Sequence, residues 1–246
     1  MYNLLRKIGL TLYRPFMKEK MKTFIDKRLS QDFSDLKDEE YIWIHCSSVG
    51  EVNLSEDLVK KFYSISRKNI LISTFTDTGY ENAVKKYSDK KKIKVIYFPV
   101  DDKKKINEIL NKIKLKLLVL VETELWPNLI NEVNKKNSRI IVVNGRISDR
   151  SYKSYLKFGF FYKYLFKFID KIYAQSDLDK QRLERLGAKN IVVSGNIKSA
   201  FLPSSSKIYA KPKERVIVLA STHAGEEELI LRELNLSAND KLILVP

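Results

Sequence analysis

Three observations predict an α/β fold with a doubly wound parallel sheet. Short apolar runs alternate with amphipathic helical stretches from Tyr41 to about Ser194. The run Leu115–Val121 is apolar almost throughout, as a central parallel strand covered on both faces requires. Turns rich in small or polar residues follow one run after another, at the carboxyl ends where such sheets hold ligands.

Tyr41–His45 is the first predicted strand, rich in aromatic and β-branched residues. Ser47, Ser48 and Gly50 break its pattern, and a helix is predicted to start at or near Glu51. Val52, Leu54, Leu58, Val59, Phe62 and Ile65 share one face of that helix. Asn69–Thr74 is the second strand, and the hydroxyl-rich turn Thr74–Gly79 leads into a helix from about Tyr80 to Tyr87. Lys94–Pro99 is the third strand, and Asp102 caps a helix running through Ile113. Leu115–Val121 ends in Glu122–Asn128; a helix to about Lys136 and a strand Arg139–Val143 follow. Ile172–Ala174 is a strand, Asp177 opens a helix ended by Gly187, and Ile191–Ser194 is the last strand of this unit. After a Ser- and Pro-containing linker, Val216–Ala220 begins afresh, residues 221–227 open a helix, and Lys241–Val245 is a further strand. A strand–helix–strand start of that length cannot bury its own core, so the sequence reads as a fragment or truncated product.

The 46 Lys+Arg against 30 Asp+Glu leave a formal charge of +16, which attracts polyanions: nucleic acid or an anionic membrane face. A lysine-heavy codon usage explains the same excess without any partner. The single cysteine, Cys46, reads as a small core residue at a strand end, and with only His45 and His223 present a zinc-type site has no support. Residues 1–29 alternate apolar side chains with Arg6, Lys7, Arg14, Lys18, Lys20, Lys22, Lys27 and Arg28. Too many charges interrupt them for a bilayer span; an in-plane helix with its cations toward anionic headgroups fits, and so does a helix packed on the domain. Tyr152–Phe168 interleaves aromatics with lysines, which suits base stacking, a membrane interface, or a core helix with snorkelling lysines.

Four groups lie past strand ends of the predicted sheet: Ser47–Glu51, Glu122–Asn128, Asn144–Ser148 and Gly195–Lys198. Glu51 suits the first turn of a helix through its dipole alone; as an ionised carboxylate at the sheet's mouth it also suits a general base. Glu122 directly follows a buried strand and needs a partner, for which Arg146 and Lys198 are the candidates. A carboxylate pair with nearby cations suits sugar transfer through an oxocarbenium-like transition state.

The motifs SSVGE (47–51), ETELWPN (122–128), NGRIS (144–148), AQS (174–176), RLERLGAKN (182–190), GNIK (195–198) and STHAGEE (221–227) resemble the 3-deoxy-D-manno-octulosonic acid (Kdo) transferases, and Leu244–Pro246 resembles the start of that family's PRHP motif. The resemblance implies a GT-B fold of two Rossmann-like domains, the second one truncated. Residues 1–29 are then a basic membrane-associating segment, 30–203 the acceptor-binding domain, 204–213 a linker and 214–246 the start of the nucleotide-sugar domain. It implies inverting transfer of Kdo from CMP-Kdo to a lipid A precursor, lipid IVA, in lipopolysaccharide core biosynthesis at the cytoplasmic face of the inner membrane. It further implies Glu51 as general base, Glu122 and Lys198 as transition-state stabilisers, and no cofactor or metal clamp. The substrate-binding set it implies is Ser48, Gly50, Thr76, Arg146, Ser221, His223 and Pro246. Two departures from the family pattern are Ser199-Ala200, where Phe-Asp usually follows GNIK, and Gly145, where many relatives carry Ala. The 246-residue chain alone is expected not to bind CMP-Kdo usefully and to be inactive. The competing readings are a basic nucleic-acid-binding module, for which no recognised motif exists, a non-catalytic membrane-docking fragment, and a nucleotide-sugar epimerase of the same fold.

Overall fold

Alternation along the strands decides the layers. Trp43, Leu71, Leu118 and Leu120 face one side, packed against Ile106, Leu129 and Ile172. Ile42, Ile44, Ile70, Ile72, Val119 and Val121 face the other, packed against Val52, Val59 and Ala83. A sheet apolar on both faces must be covered on both, and each aliphatic side chain fully buried there contributes roughly 1.5–3 kcal/mol. The computed structural model describes residues 2–3, 9, 12–200, 210 and 212–245.

The sheet has seven parallel strands: β1 (Glu40–Cys46), β2 (Asn69–Thr74), β3 (Ile93–Tyr97), β4 (Lys114–Val121), β5 (Arg139–Gly145), β6 (Lys171–Ala174) and β7 (Ile191–Val193), in the order β3-β2-β1-β4-β5-β6-β7. The predicted doubly wound α/β sheet is therefore present. Its order reverses between β1 and β4, which pair in register from Ile42 opposite Leu117 to His45 opposite Leu120. A crevice opens at such a switch point beyond the carboxyl ends of the two strands.

Helix α1 (Glu19–Leu29) precedes the sheet. Helices α2 (Val49–Leu54) and α3 (Glu56–Ile65) follow β1, α4 (Asp77–Tyr87) follows β2, and α5 (Lys103–Lys112) follows β3. Helix α6 (Pro127–Lys135) follows β4, α7 (Asp149–Lys157) and α8 (Gly159–Phe166) follow β5, α9 (Asp177–Arg185) follows β6, and α10 (Ile197–Ala200) follows β7. Hydroxyl and carboxylate caps start several of them: Ser48 accepts from the Glu51 amide, Thr76 from Gly79, Asp102 from Lys105, Ser148 from Ser151 and Ser176 from Asp179.

Three local expectations shift. The helix expected near Glu51 begins at Val49, because Ser48 and Glu51 form the S-x-x-E pattern that favours a start at the serine. The aromatic stretch 152–168 is not one helix but α7 and α8, broken at Phe158–Gly159; Tyr155 and Tyr162 stack on each other against the core, whereas Phe160 is 74% exposed. Arg28, one of the cations assigned to a headgroup-facing side, is instead fully buried. Its guanidinium donates to the carbonyls of Phe24 and Phe75 and pairs with Asp77 at 3.2 Å, which satisfies the charge where it lies. Among the described residues no helix is long and apolar enough to cross a membrane.

The chain divides into two units, Met1–Leu202 and Pro203–Pro246. The second holds β8 (Val216–Ala220), α11 (Glu226–Glu233) and β9 (Lys241–Val245), with β8 and β9 paired in parallel. None of its described residues is buried, as expected of one strand–helix–strand repeat.

Candidate functional site

The switch point brings the turn after β1 against the turn after β4. Ser47, the first residue beyond β1, is the joint between them. Its amide donates to Glu51 Oε2 at 2.6 Å, and its hydroxyl donates to Glu124 Oε2. Its carbonyl accepts from the amides of Phe75 and Thr76 at 3.2 and 3.0 Å, which fastens the turn after β2 to the same residue. Ser48 Oγ donates to Glu51 Oε1 at 3.0 Å. Both oxygens of the Glu51 carboxylate are thus held, and its side chain is buried at the head of α2.

Burial is the main reason why the Glu51 pKa rises from 4.5 to about 7; the charges of Glu124 and Glu122 add to it, and the Ser47 and Ser48 donors oppose it. Glu124 is likewise raised, again chiefly by burial, against the opposing hydrogen bonds from Ser47 and Trp126. Burial that disfavours the charged form brings the proton affinity of this carboxyl toward neutrality.

Sequence reasoning singles out Glu122 of the Glu122–Asn128 run and passes over Glu124. Glu122 is half-buried at the end of β4, and its backbone has φ +59°, a left-handed conformation that non-glycine residues seldom adopt. Its amide donates to the Val143 carbonyl at 2.9 Å. Among the described residues its carboxylate makes no ion pair, so neither Arg146 nor Lys198 is the expected partner. Arg146 is exposed; its backbone, not its guanidinium, joins the β4 turn, through a hydrogen bond from its amide to Thr123 Oγ1 at 3.2 Å.

Lys198 follows β7, three strands from β4, yet its loop folds back. The Ile197 amide donates to Asn144 Oδ1 at 3.1 Å, and the Ile197 side chain packs on the cluster containing Val121, Val143 and Leu58. Lys198 itself is exposed on α10. Gly50 is exposed in the first turn of α2. Thr76 caps α4 beside Ser47 and is half-buried. Ser221, at φ +57°, donates its amide to Val245 O at the carboxyl end of the second unit's strands, and the His223 amide donates to Glu226 Oε2. Pro246 lies outside the described residues. Among the described residues no group of three or more His, Cys, Asp or Glu is placed to hold a metal ion.

Cys46, beneath the site, is a buried free thiol whose pKa burial raises to about 12, as a core role requires. An apolar groove of about 750 Å³ runs between Tyr2, the start of α6 at Pro127, and Phe158, Phe160 and Phe161 around the α7–α8 break.

The model of the family described as 3-Deoxy-D-manno-octulosonic-acid transferase (kdotransferase) matches residues 20–201. A bifunctional glycosyltransferase/methyltransferase of Fusobacterium nucleatum is 72% identical over 257 aligned positions, covering 100% of this chain and 40% of that protein. The 3-deoxy-D-manno-octulosonic acid transferase of Rickettsia typhi is 34% identical over 79% of this chain and 43% of its own length. A crystal structure of a UDP-N-acetylglucosamine 2-epimerase superposes with a TM-score of 0.54 over 85% of this chain and 69% of that one; at 11% identity it shows a common fold and nothing more. The chain spans about two-fifths of the length of these two curated relatives. On the match across residues 20–201, with the Glu51 and Glu122–Asn128 motifs inside it, the chain belongs to the Kdo transferase family.

Proposed function

We propose that this chain provides the acceptor side of an enzyme that moves Kdo from CMP-Kdo to a lipid A precursor such as lipid IVA, with Glu51 as general base. The observation that carries the reading is the Glu51 carboxyl, buried at the β1–β4 switch point with a pKa raised to about 7. Of the two activities in the Fusobacterium relative's name, glycosyl transfer is the one taken for this chain.

In this reading an acceptor hydroxyl gives its proton to Glu51 as its oxygen bonds to the anomeric carbon of Kdo, and the bond from that carbon to the CMP phosphate oxygen breaks. The result is one displacement with inversion. Glu122 supports positive charge developing on the sugar, and Lys198 offsets negative charge leaving with CMP. Ser48, Gly50, Thr76 and Arg146 contact the acceptor side; Ser221, His223 and Pro246 belong to the donor side.

The acceptor is an anionic phosphoglycolipid, and the cytoplasmic face of the inner membrane is the surface proposed for it. Leu12, Tyr13, Phe16 and Met21 are exposed near α1, Phe158 and Phe160 are exposed at the α7–α8 break, and the net charge is +16. Tyr2 lies against Phe161, which brings the start of the chain to that same break.

Glu51→Gln in the full-length enzyme tests the base. Transfer from CMP-Kdo is expected to fall at least about 100-fold, the usual contribution of a general base; near-normal transfer rejects the assignment. Deleting residues 1–29 is expected to release the protein from anionic vesicles, and unchanged co-sedimentation rejects the membrane reading.

A further inference from the structure

Glu124 is bound more elaborately than a carboxylate at a loop needs to be. Its Oε2 accepts from the Ser47 hydroxyl and from Trp126 Nε1 at 3.0 Å, and it lies 4.0 Å from His45 Nε2. His45 is fully buried against Phe98, with ring centroids 4.3 Å apart. Its Nε2 has no hydrogen-bond partner among the described residues.

Ser73 Oγ accepts from Trp43 Nε1 at 2.8 Å and lies 2.9 Å from His45 Nδ1, which fixes the plane of the ring. Burial drives the His45 pKa down to about 3, so the ring beside Glu124 is neutral and offers no countercharge to it.

On the other side of Glu124, Ser47 makes the link to Glu51. One residue donates its hydroxyl to Glu124 and its amide to Glu51, so the rotamer of the first carboxylate fixes the backbone that holds the second. The groups facing Glu51 are the Ser47 amide and Ser48 hydroxyl from the turn after β1, Cys46 from β1 itself, and Glu122 and Glu124 from the turn after β4.

We propose that Glu124 is a positioning residue for this site: its carboxylate holds the Ser47 hydroxyl, and Ser47 in turn holds the Glu51 carboxylate through its amide. The charge of Glu124 also disfavours ionisation of Glu51, after burial. This inference rests on the reading of Glu51 as base.

The test uses the full-length enzyme with CMP-Kdo and a lipid A precursor, and compares wild type with Glu124→Gln, Ser47→Ala and Glu51→Gln. Glu124→Gln keeps the shape and an acceptor oxygen and removes the charge. The acid limb of its kcat–pH profile is expected to move down by about one pH unit, a tenfold change in proton affinity, with KM for both substrates unchanged. The Glu51 carboxyl, followed by carbon NMR in the same variant without turnover, is expected to show the same shift of midpoint. Ser47→Ala cuts the bridge and leaves both carboxylates in place; a lower kcat at constant KM is expected. An unmoved NMR midpoint in Glu124→Gln, or an unchanged kcat in Ser47→Ala, overturns the proposal. Near-normal transfer by Glu51→Gln instead overturns the assignment of the base, while the NMR midpoint still reports whether Glu124 governs that carboxyl.

Discussion

Phe75 and Trp126 stack with ring centroids 5.4 Å apart and planes 26° apart, so the turn after β2 and the turn after β4 share one aromatic wall. Trp126 also donates from Nε1 to Glu124, and Phe75 offers its carbonyl to the buried Arg28. A continuous path therefore runs from α1 through Arg28, Phe75, Trp126 and Glu124 to Ser47 and Glu51. Each joint in it has a measurable consequence.

Trp126→Phe keeps most of the ring and removes the donor to Glu124. Loss of one hydrogen bond to a charged, largely buried carboxylate is expected to lower stability by about 2 kcal/mol. Trp126→Ala also removes the stack on Phe75 and is expected to cost about 3 kcal/mol or more. Urea denaturation of both variants checks the order; equal midpoints for wild type and Trp126→Phe contradict it.

Arg28→Ala leaves the Phe75 carbonyl without its partner in a site that excludes water, and leaves Asp77 with Lys27 at 3.5 Å in place of the buried guanidinium. Asp77 is partly exposed, so the expected loss is at the lower end of the range for breaking a buried pair, about 3 kcal/mol. Amide exchange in Glu19–Leu29 is expected to accelerate before that of the sheet. Uniform protection across α1 and β1 in the variant argues against the anchor.

Gly79 sits where α4 starts against the Ser47–Ser48 turn. A Cβ there meets Thr76 Oγ1 at 2.9 Å and the Ser48 carbonyl carbon at 3.3 Å. Gly79→Ala is expected to disturb the Thr76 cap and push α4 from the turn, at about 2 kcal/mol. A thermal melt reads the stability, and the Glu51 midpoint by NMR reads the turn; wild-type values for both reject the close approach.

Glu51 gives stability a definite pH slope. Its folded-state pKa of about 7 lies above the unfolded 4.5, so between those values the folded chain keeps a proton that the unfolded chain has released. Stability therefore falls as pH rises from about 4.5 to about 7 and levels off above, by roughly 3 kcal/mol for this group. Glu51→Gln removes that component, so at pH 8 the variant is expected to be more stable than wild type. Parallel denaturation curves at pH 5 and pH 8 decide it: an identical pH slope in the two proteins refutes a neutral Glu51 below pH 7.

Most elements are legible from local pattern. β8 and β9 run over Val216–Ala220 and Lys241–Val245 as read from the sequence, and β1, β4 and β5 differ from expectation by one or two residues at an end. Strand alternation and helical periodicity are near-neighbour properties, so they survive without tertiary information. The S-x-x-E start of α2 is equally local, and attention to Ser48 as cap places that helix correctly.

Glu124 shows where local pattern stops. Two glutamates stand two residues apart in Glu122-Thr123-Glu124, with no periodicity to separate them. The left-handed backbone of Glu122 turns the chain so that Glu124, not Glu122, hydrogen-bonds to Ser47, and sequence alone does not announce that conformation. Lys198 is similar: only the bond from the Ile197 amide to Asn144 shows that a loop after the edge strand doubles back toward β5.

Residue order was sufficient for the parallel α/β layering, for the strand-end position of Glu51 and Glu122, and for the family, because each rests on short stretches of chain. The pairing of β1 with β4, the union of Glu51 and Glu124 on Ser47, and the burial of Arg28 needed the folded chain. They join groups separated by tens of residues, and their energies depend on solvent exclusion that exists only once the sheet is covered.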